Sequence, residues 1–195
     1  LPCRSPPEVV LPAQRPGHLV HLERDDPRPV LVDRSALAHR GAPLRLARHQ
    51  PGATDDGRPT LVVCPVSVLS NWAREAHRFA PSIPVLRYHG SDRSLEGLEP
   101  DAIVLTTYGV ARREAAALAM HPWGLIAADE AQAIKNPTSR TAKALRTIPA
   151  DARFALTGTP VENRLVDLWA LLDWTTPGLL GPLDRFRREI AVPVE

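Results

Sequence analysis

The chain has 195 residues, 44% of them hydrophobic, and a formal net charge of +2. That is enough for one well-buried domain, too apolar for global disorder, and too nearly neutral for a bulk electrostatic attraction to nucleic acid or membrane. Two cysteines argue against a disulfide framework or a metal cluster, and no apolar run approaches the roughly 18 residues of a bilayer span, so a cytoplasmic setting with no membrane partner is expected.

Residues 1–59 hold ten of the 21 prolines and no aromatic residue, without a sustained period of 2 or 3.6. An irregular Pro- and Arg-rich segment is expected there. Its exceptions are one short strand at 29–33 and a helical stretch from Ser35 to Arg48 that Gly41 and Pro43 interrupt. From Thr60 the texture changes. A β-rich run over Leu61 to Cys64 leads through Pro65 into a helix in which Val68, Leu69, Trp72, Ala76 and Phe79 recur at helical spacing, with Ser67 available as its N-cap. On that stripe Trp72 reads as core. Strands follow at Val85 to Tyr88 and Ala102 to Thr106, then an alanine-rich helix from Val110 to Met120. Leu125 to Ala128 is an apolar strand, Thr138 to Ile148 a helix, Arg153 to Leu156 a strand, and Val166 to Trp174 a helix. Strands alternating with helices of this length imply an α/β fold, a parallel sheet covered by helices on both faces. Ligands of such sheets bind beyond the carboxyl ends of the strands, where Asp129 and Thr157 fall.

Chemistry concentrates at that edge. The tetrad Asp129-Glu130-Ala131-Gln132 ends an apolar strand, which offers one carboxylate for a magnesium-water shell and a second to polarise an attacking water. An acidic pair also suits a helix N-terminus by macrodipole alone, and Leu156 to Pro160 (LTGTP) is also a plain tight turn with Gly158 as its flexible point. Of the 24 basic residues 22 are arginine, a skew that suits phosphate and equally reflects a GC-rich coding sequence. No Gly-x-Ser-x-Gly elbow is present, which sets aside an unrelated α/β hydrolase.

Five segments in order, TLVVCPVSVLSNWA (60–73), DAIVLTTYGVA (101–111), WGLIAADEAQAIKNP (123–137), ALTGTPVENR (155–164) and LWALLDWT (168–175), resemble the first motor lobe of Swi/Snf-type DNA-dependent ATPases of the helicase-like superfamily 2. The resemblance covers residues 60–195 and implies a RecA-like P-loop NTPase lobe. It implies that Asp129 binds magnesium through water and that Glu130 orients or deprotonates the water attacking ATP. Gln132 would link that site to the nucleic-acid side, and Thr157 and Thr159 would bond the acidic pair and sense its state. Pro65, Ser67, Asn71, Thr106 and Thr107 match segments that lie along the nucleic-acid backbone, which implies sequence-independent DNA contact.

One part of the pattern is missing. Counting back from Leu61 to the family's glycine loop reaches Asp33 to His49, where no Gly-Lys-Ser/Thr occurs; the chain's two lysines, Lys135 and Lys143, both lie downstream of the tetrad. The glycine loop is degenerate or missing, so ATP and magnesium belong to the complete family motor and binding by this chain is in doubt. The family continues past the position of Glu195 toward a second lobe, expected to carry a transition-state arginine. The expectation is a fragment of a Swi/Snf-type translocase that is inactive alone; the alternative is a non-catalytic nucleic-acid- or protein-binding module derived from such a lobe. Residues 1–59 are either a genuine divergent segment or a fragment or misread translation joined to a normal lobe.

Overall fold

The computed structural model describes the backbone of residues 30–33 and, in full, residues 57–158 and 164–191. The expected helix from Ser35 to Arg48 lies outside the described residues, as does Thr159. Six parallel strands form one sheet: β1 (Val30–Asp33), β2 (Thr60–Cys64), β3 (Val85–Tyr88), β4 (Ile103–Thr107), β5 (Trp123–Asp129) and β6 (Ala150–Thr157), in the order β1-β6-β5-β2-β4-β3. The helices are α1 (Val66–Phe79), α2 (Tyr108–Arg113), α3 (Ala115–Leu118), α4 (Arg140–Thr147), α5 (Leu165–Thr175) and α6 (Leu183–Phe186). A 3₁₀ turn, Ala131–Ile134, follows β5, and a π turn, Arg187–Ala191, follows α6.

Strand alternation divides the core into two layers. Leu61, Val63, Val104, Ile126, Ala128 and Ala155 face α2 to α5, whereas Val62, Cys64, Leu105, Leu125, Ala127, Phe154 and Leu156 face α1 through Leu69, Trp72 and Ala76. All of β2, β4 and β5 is buried, as a parallel sheet covered on both faces requires. α5 is buried nearly all round: Leu171 and Trp174 join the sheet layer, while Trp169 and Ala170 pack with Phe186 and Ala191 of the following turns. Arg146 of α4 ties α5 down by donating to the Ala170 carbonyl and to the Asp173 carboxylate, at 3.2 and 3.3 Å.

Two local expectations give way to tertiary or cap chemistry. The single helix over Val110 to Met120 breaks at Glu114, which leaves helical geometry at φ −115°, ψ 25°. Its carboxylate is held by the Tyr88 hydroxyl and by Arg93, whose Nε donates at 2.6 Å. Ser67 is not the cap of α1; Pro65 occupies that position and no side chain caps the first turn. β1 pairs with β6 at one end of the described sheet, Asp33 level with Thr157.

Ile126 is fully buried in β5, and Met120 is 83% exposed. Ile126→Ala should lower unfolding free energy by about 2–5 kcal/mol, read from urea titrations, whereas Met120→Ala should leave it within about 0.5 kcal/mol.

Candidate functional site

Five neighbouring strands end together at the carboxyl edge of the sheet. Register places Asp33 level with Thr157, Asp129 level with Leu156, Val63 level with Ala128, and Cys64 level with Thr107. The backbone therefore delivers Thr157, Asp129, Pro65 and Thr107 to one rim, and the chain leaves β1 at the same rim, beside Thr157.

Asp129 shares the strand parity of Leu125 and Ala127, which points its side chain to the α1 layer. It is 2% exposed. Burying a carboxylate that deeply is costly unless its oxygens find donors. The Trp72 indole Nε1–H donates to Oδ2 at 2.7 Å, and the Glu130 backbone N–H donates to Oδ1 at 3.0 Å. The Tyr108 hydroxyl donates to the Asp129 carbonyl at 2.7 Å. Trp72 thus fills the core as its helical spacing predicts and also holds the acid. Tyr108 was invisible to motif reasoning; its one signal is its place directly after Thr106 and Thr107.

Glu130 adopts a left-handed conformation, φ 53° and ψ 53°, costing about 1–2 kcal/mol for a residue with a Cβ. The twist turns the chain off β5 and starts the 3₁₀ turn. It also places the Glu130 carboxylate at the head of a relay: Gln132 Nε2 donates to Glu130 Oε2 at 2.7 Å, and Thr157 Oγ1 donates to Gln132 Oε1 at 2.9 Å. An amide is suited to this bridge because it donates at one end and accepts at the other. Thr157, fully buried, is therefore connected to the acidic pair through Gln132. Gly158 needs no special freedom: its φ is ordinary and a Cβ there would meet nothing within 4 Å.

The residues expected to touch nucleic acid divide in two. Ser67 and Asn71 are exposed on α1, beside Val66 at 66% exposure, and Arg74 donates to Asn71 Oδ1. Pro65 sits half-buried at the start of that helix. Thr106 is fully buried and its hydroxyl donates to the Tyr88 carbonyl at 2.9 Å, while Thr107 caps α2 by accepting from Val110 N–H at 3.4 Å. These two hydroxyls serve the fold; the surface available on that segment is not their side chains. Lys135, in the turn after the tetrad, pairs at 3.8 Å with Asp167, a buried acid of α5 that Arg164 also approaches at 3.8 Å. That pair locks the tetrad's turn to α5.

Among the described residues no group of three or more His, Cys, Asp or Glu side chains is placed to hold a metal. One or two strand-end carboxylates suit a hydrated magnesium ion whose shell is completed by phosphate oxygens, and here Asp129 is 2% exposed with both oxygens already hydrogen-bonded. Asp129 is the residue that would hold it. For the phosphates of ATP, the sequence upstream of the tetrad offers no lysine and no Gly-Lys-Ser/Thr.

Cys64 lies beneath the rim, fully buried. Burial first, and the Asp129 charge second, push its thiol up from 9.0 to about 12. The same two causes, with Cys64 third, hold the Tyr108 phenol well above 10, so it stays a donor. A thiol whose pKa is raised on folding contributes stability that is intact below pH 9 and lost as pH climbs toward 12. In a Cys3→Ser variant, the native protein at pH 8 should leave Cys64 unlabelled by a thiol reagent, with labelling appearing only on unfolding.

Residues 20–195 match the family described as the SNF2-related domain. Among solved structures, the Sulfolobus solfataricus SWI2/SNF2 ATPase core in complex with dsDNA superposes with a TM-score of 0.73 at 38% identity, over 86% of this chain and 35% of that one. Among curated proteins, the Zorya protein ZorD of Escherichia coli is 40% identical over 162 residues, 70% of this chain and 15% of its own length. The ATP-dependent helicase/translocase YwqA of Bacillus subtilis, described as putative, is 37% identical over 142 residues, again 70% of this chain and 15% of its own length.

Proposed function

The chain belongs to the SNF2-related domain family, and on that premise we propose that it is the N-terminal motor lobe of a Swi/Snf-type DNA translocase, able to hold duplex DNA by its backbone but unable to turn over ATP by itself. The observation that carries this reading is the Glu130–Gln132–Thr157 relay beside a buried Asp129, set at a strand edge whose preceding sequence contains no Gly-Lys-Ser/Thr.

In that reading Asp129 holds a hydrated magnesium ion, which supplies charge neutralisation when bound. Glu130 accepts a proton from, or orients, the water beside it. Gln132 carries the position of Glu130 to Thr157 and so to the strand-to-helix loop beyond. The DNA side is α1: its first turn has no side-chain cap, so backbone N–H groups and the dipole there suit a phosphate, flanked by exposed Ser67 and Asn71. The partners of this reading are DNA, contacted without regard to base sequence, and a second motor lobe. A phosphate grip is worth on the order of several kcal/mol in phosphoryl transfer, so a lobe without it has negligible turnover. The missing lysine loop equally favours a second reading, a nucleic-acid- or protein-binding module descended from such a lobe. Duplex binding without hydrolysis is common to both, and a second lobe encoded beside this one would separate them.

The purified chain should show no DNA-stimulated ATP hydrolysis above background; turnover that vanishes in Glu130→Gln contradicts the proposal. Duplex binding by fluorescence anisotropy should be independent of base sequence and, for two or three phosphate contacts, weaken by about 10- to 40-fold between 50 and 200 mM salt. Ser67→Glu favours the helix dipole by about 0.3–1 kcal/mol yet repels phosphate. It should weaken duplex binding several-fold without lowering the melting temperature.

A further inference from the structure

Between the turn that follows the tetrad, the first turn of α5 and the π turn lies a cavity of about 390 Å³. That size falls within the roughly 300–1,000 Å³ usual for ligand sites. Its charged lining is uneven: Lys135, Arg164 and Arg187 stand against one carboxylate, Asp167. Asp167 is 5% exposed, and the two cations that approach it, Lys135 and Arg164, both stop at 3.8 Å. That is beyond hydrogen-bonding distance, so among the described residues this buried carboxylate accepts no hydrogen bond. The rest of the wall is apolar where Pro137, Val166 and Ala191 line it, and Ile190, next to Ala191 in the π turn, keeps 45% of its surface in water. We infer that this cavity is a docking site for an acidic, partly apolar peptide segment of a partner protein. Backbone N–H groups of the segment donate to Asp167, its carboxylates take Arg164 and Arg187, and its apolar side chains cover Pro137, Val166 and Ala191.

The lining selects this occupant over others by what each would leave unmet. A phosphodiester satisfies the cations but brings no donor to Asp167, whose charge repels it. A basic segment satisfies Asp167 and then meets three cations. A purely apolar surface strips water from Asp167 and both arginines without replacing it. A peptide carries an N–H donor at every residue except proline, and its acidic side chains match the planar fork of arginine. Both arginines are able to turn toward a ligand: Arg164 is 67% and Arg187 49% exposed, and their ion pairs with Asp167 and Asp184 are long, at 3.8 Å. Exposed pairs of that length hold a side chain weakly. None of these residues lies on α1 or in the turn from β4 into α2, so the inference does not depend on the duplex reading.

The test uses the full chain and a fluorescein-labelled peptide of alternating glutamate and valine, beside its counterpart with glutamine for glutamate. Anisotropy should saturate with the glutamate peptide, at a dissociation constant about 10-fold or more below that of the glutamine peptide. Arg187→Glu reverses one rim charge and should weaken the glutamate peptide by about 10-fold. Val166→Asp suits the amino end of α5 and so keeps the fold, yet it puts a carboxylate into the cavity wall and should weaken the same peptide at least as much. Arg74→Glu, on α1, should leave peptide binding unchanged, and excess unlabelled duplex should not displace the peptide. Equal affinity for the two peptides, no saturable binding of either, an affinity unchanged in both cavity variants, or displacement by duplex overturns the inference. A chain that binds duplex but neither peptide overturns this inference alone and leaves the functional reading standing.

Discussion

A carboxylate at the tip of a strand buried along its whole length sets the terms for everything around it. β5 lies between β6 and β2 and is covered on both faces, so its last residue, Asp129, reaches the rim from inside the protein. At 2% exposure its charge needs donors, and it takes them from α1, from the first residue of α2 and from its own neighbour's backbone. The left-handed Glu130 follows from the same demand. The chain must leave β5 without burying a second charge, and the twist turns Glu130 out to half exposure and toward Gln132. Gln132 then passes the connection to Thr157 on the next strand. The site is a set of strand ends tied together by hydrogen bonds that would be expensive to leave unmade.

The sequence made the sheet readable because period and composition change sharply at Thr60 and because buried parallel strands are continuous apolar runs. The strand at Val85 to Tyr88 falls where expected, and β5 and β6 extend past their apolar centres because ladder pairing continues through Trp123, Asp129 and Ala150. Where the reading erred, a contact distant in sequence or a cap decided. Glu114 leaves its helix for Arg93 and Tyr88, and the terminal α6 and π turns exist to cover Trp169, for which no local pattern gives notice.

The same division holds at the site. Asp129 and Thr157 were expected at the carboxyl edge from strand position, and the register places both there, whereas Gln132 was singled out only through the motif it shares with the family. Trp72 was legible only as core, and Tyr108 not at all, because their roles come from bonds spanning 57 and 21 residues. Thr106 and Thr107 illustrate the reverse error. Hydroxyls at a strand end suggest a surface for phosphate, yet one is bound to a neighbouring strand and the other to a helix start. A motif marks the segment, and burial decides which atoms of it face outward.

The acidic residues of the rim are tied to Trp72, Gln132 and Thr157 by hydrogen bonds, β1 ends level with Thr157, and the sequence between β1 and the tetrad carries neither lysine nor Gly-Lys-Ser/Thr. We propose that a phosphate brought to this rim finds no lysine to hold it. Isothermal titration of the chain with a non-hydrolysable ATP analogue, with and without magnesium, measures it directly. The account predicts no saturable binding up to millimolar concentration in either condition; a magnesium-dependent dissociation constant in the micromolar range, lost in Asp129→Asn, would contradict it.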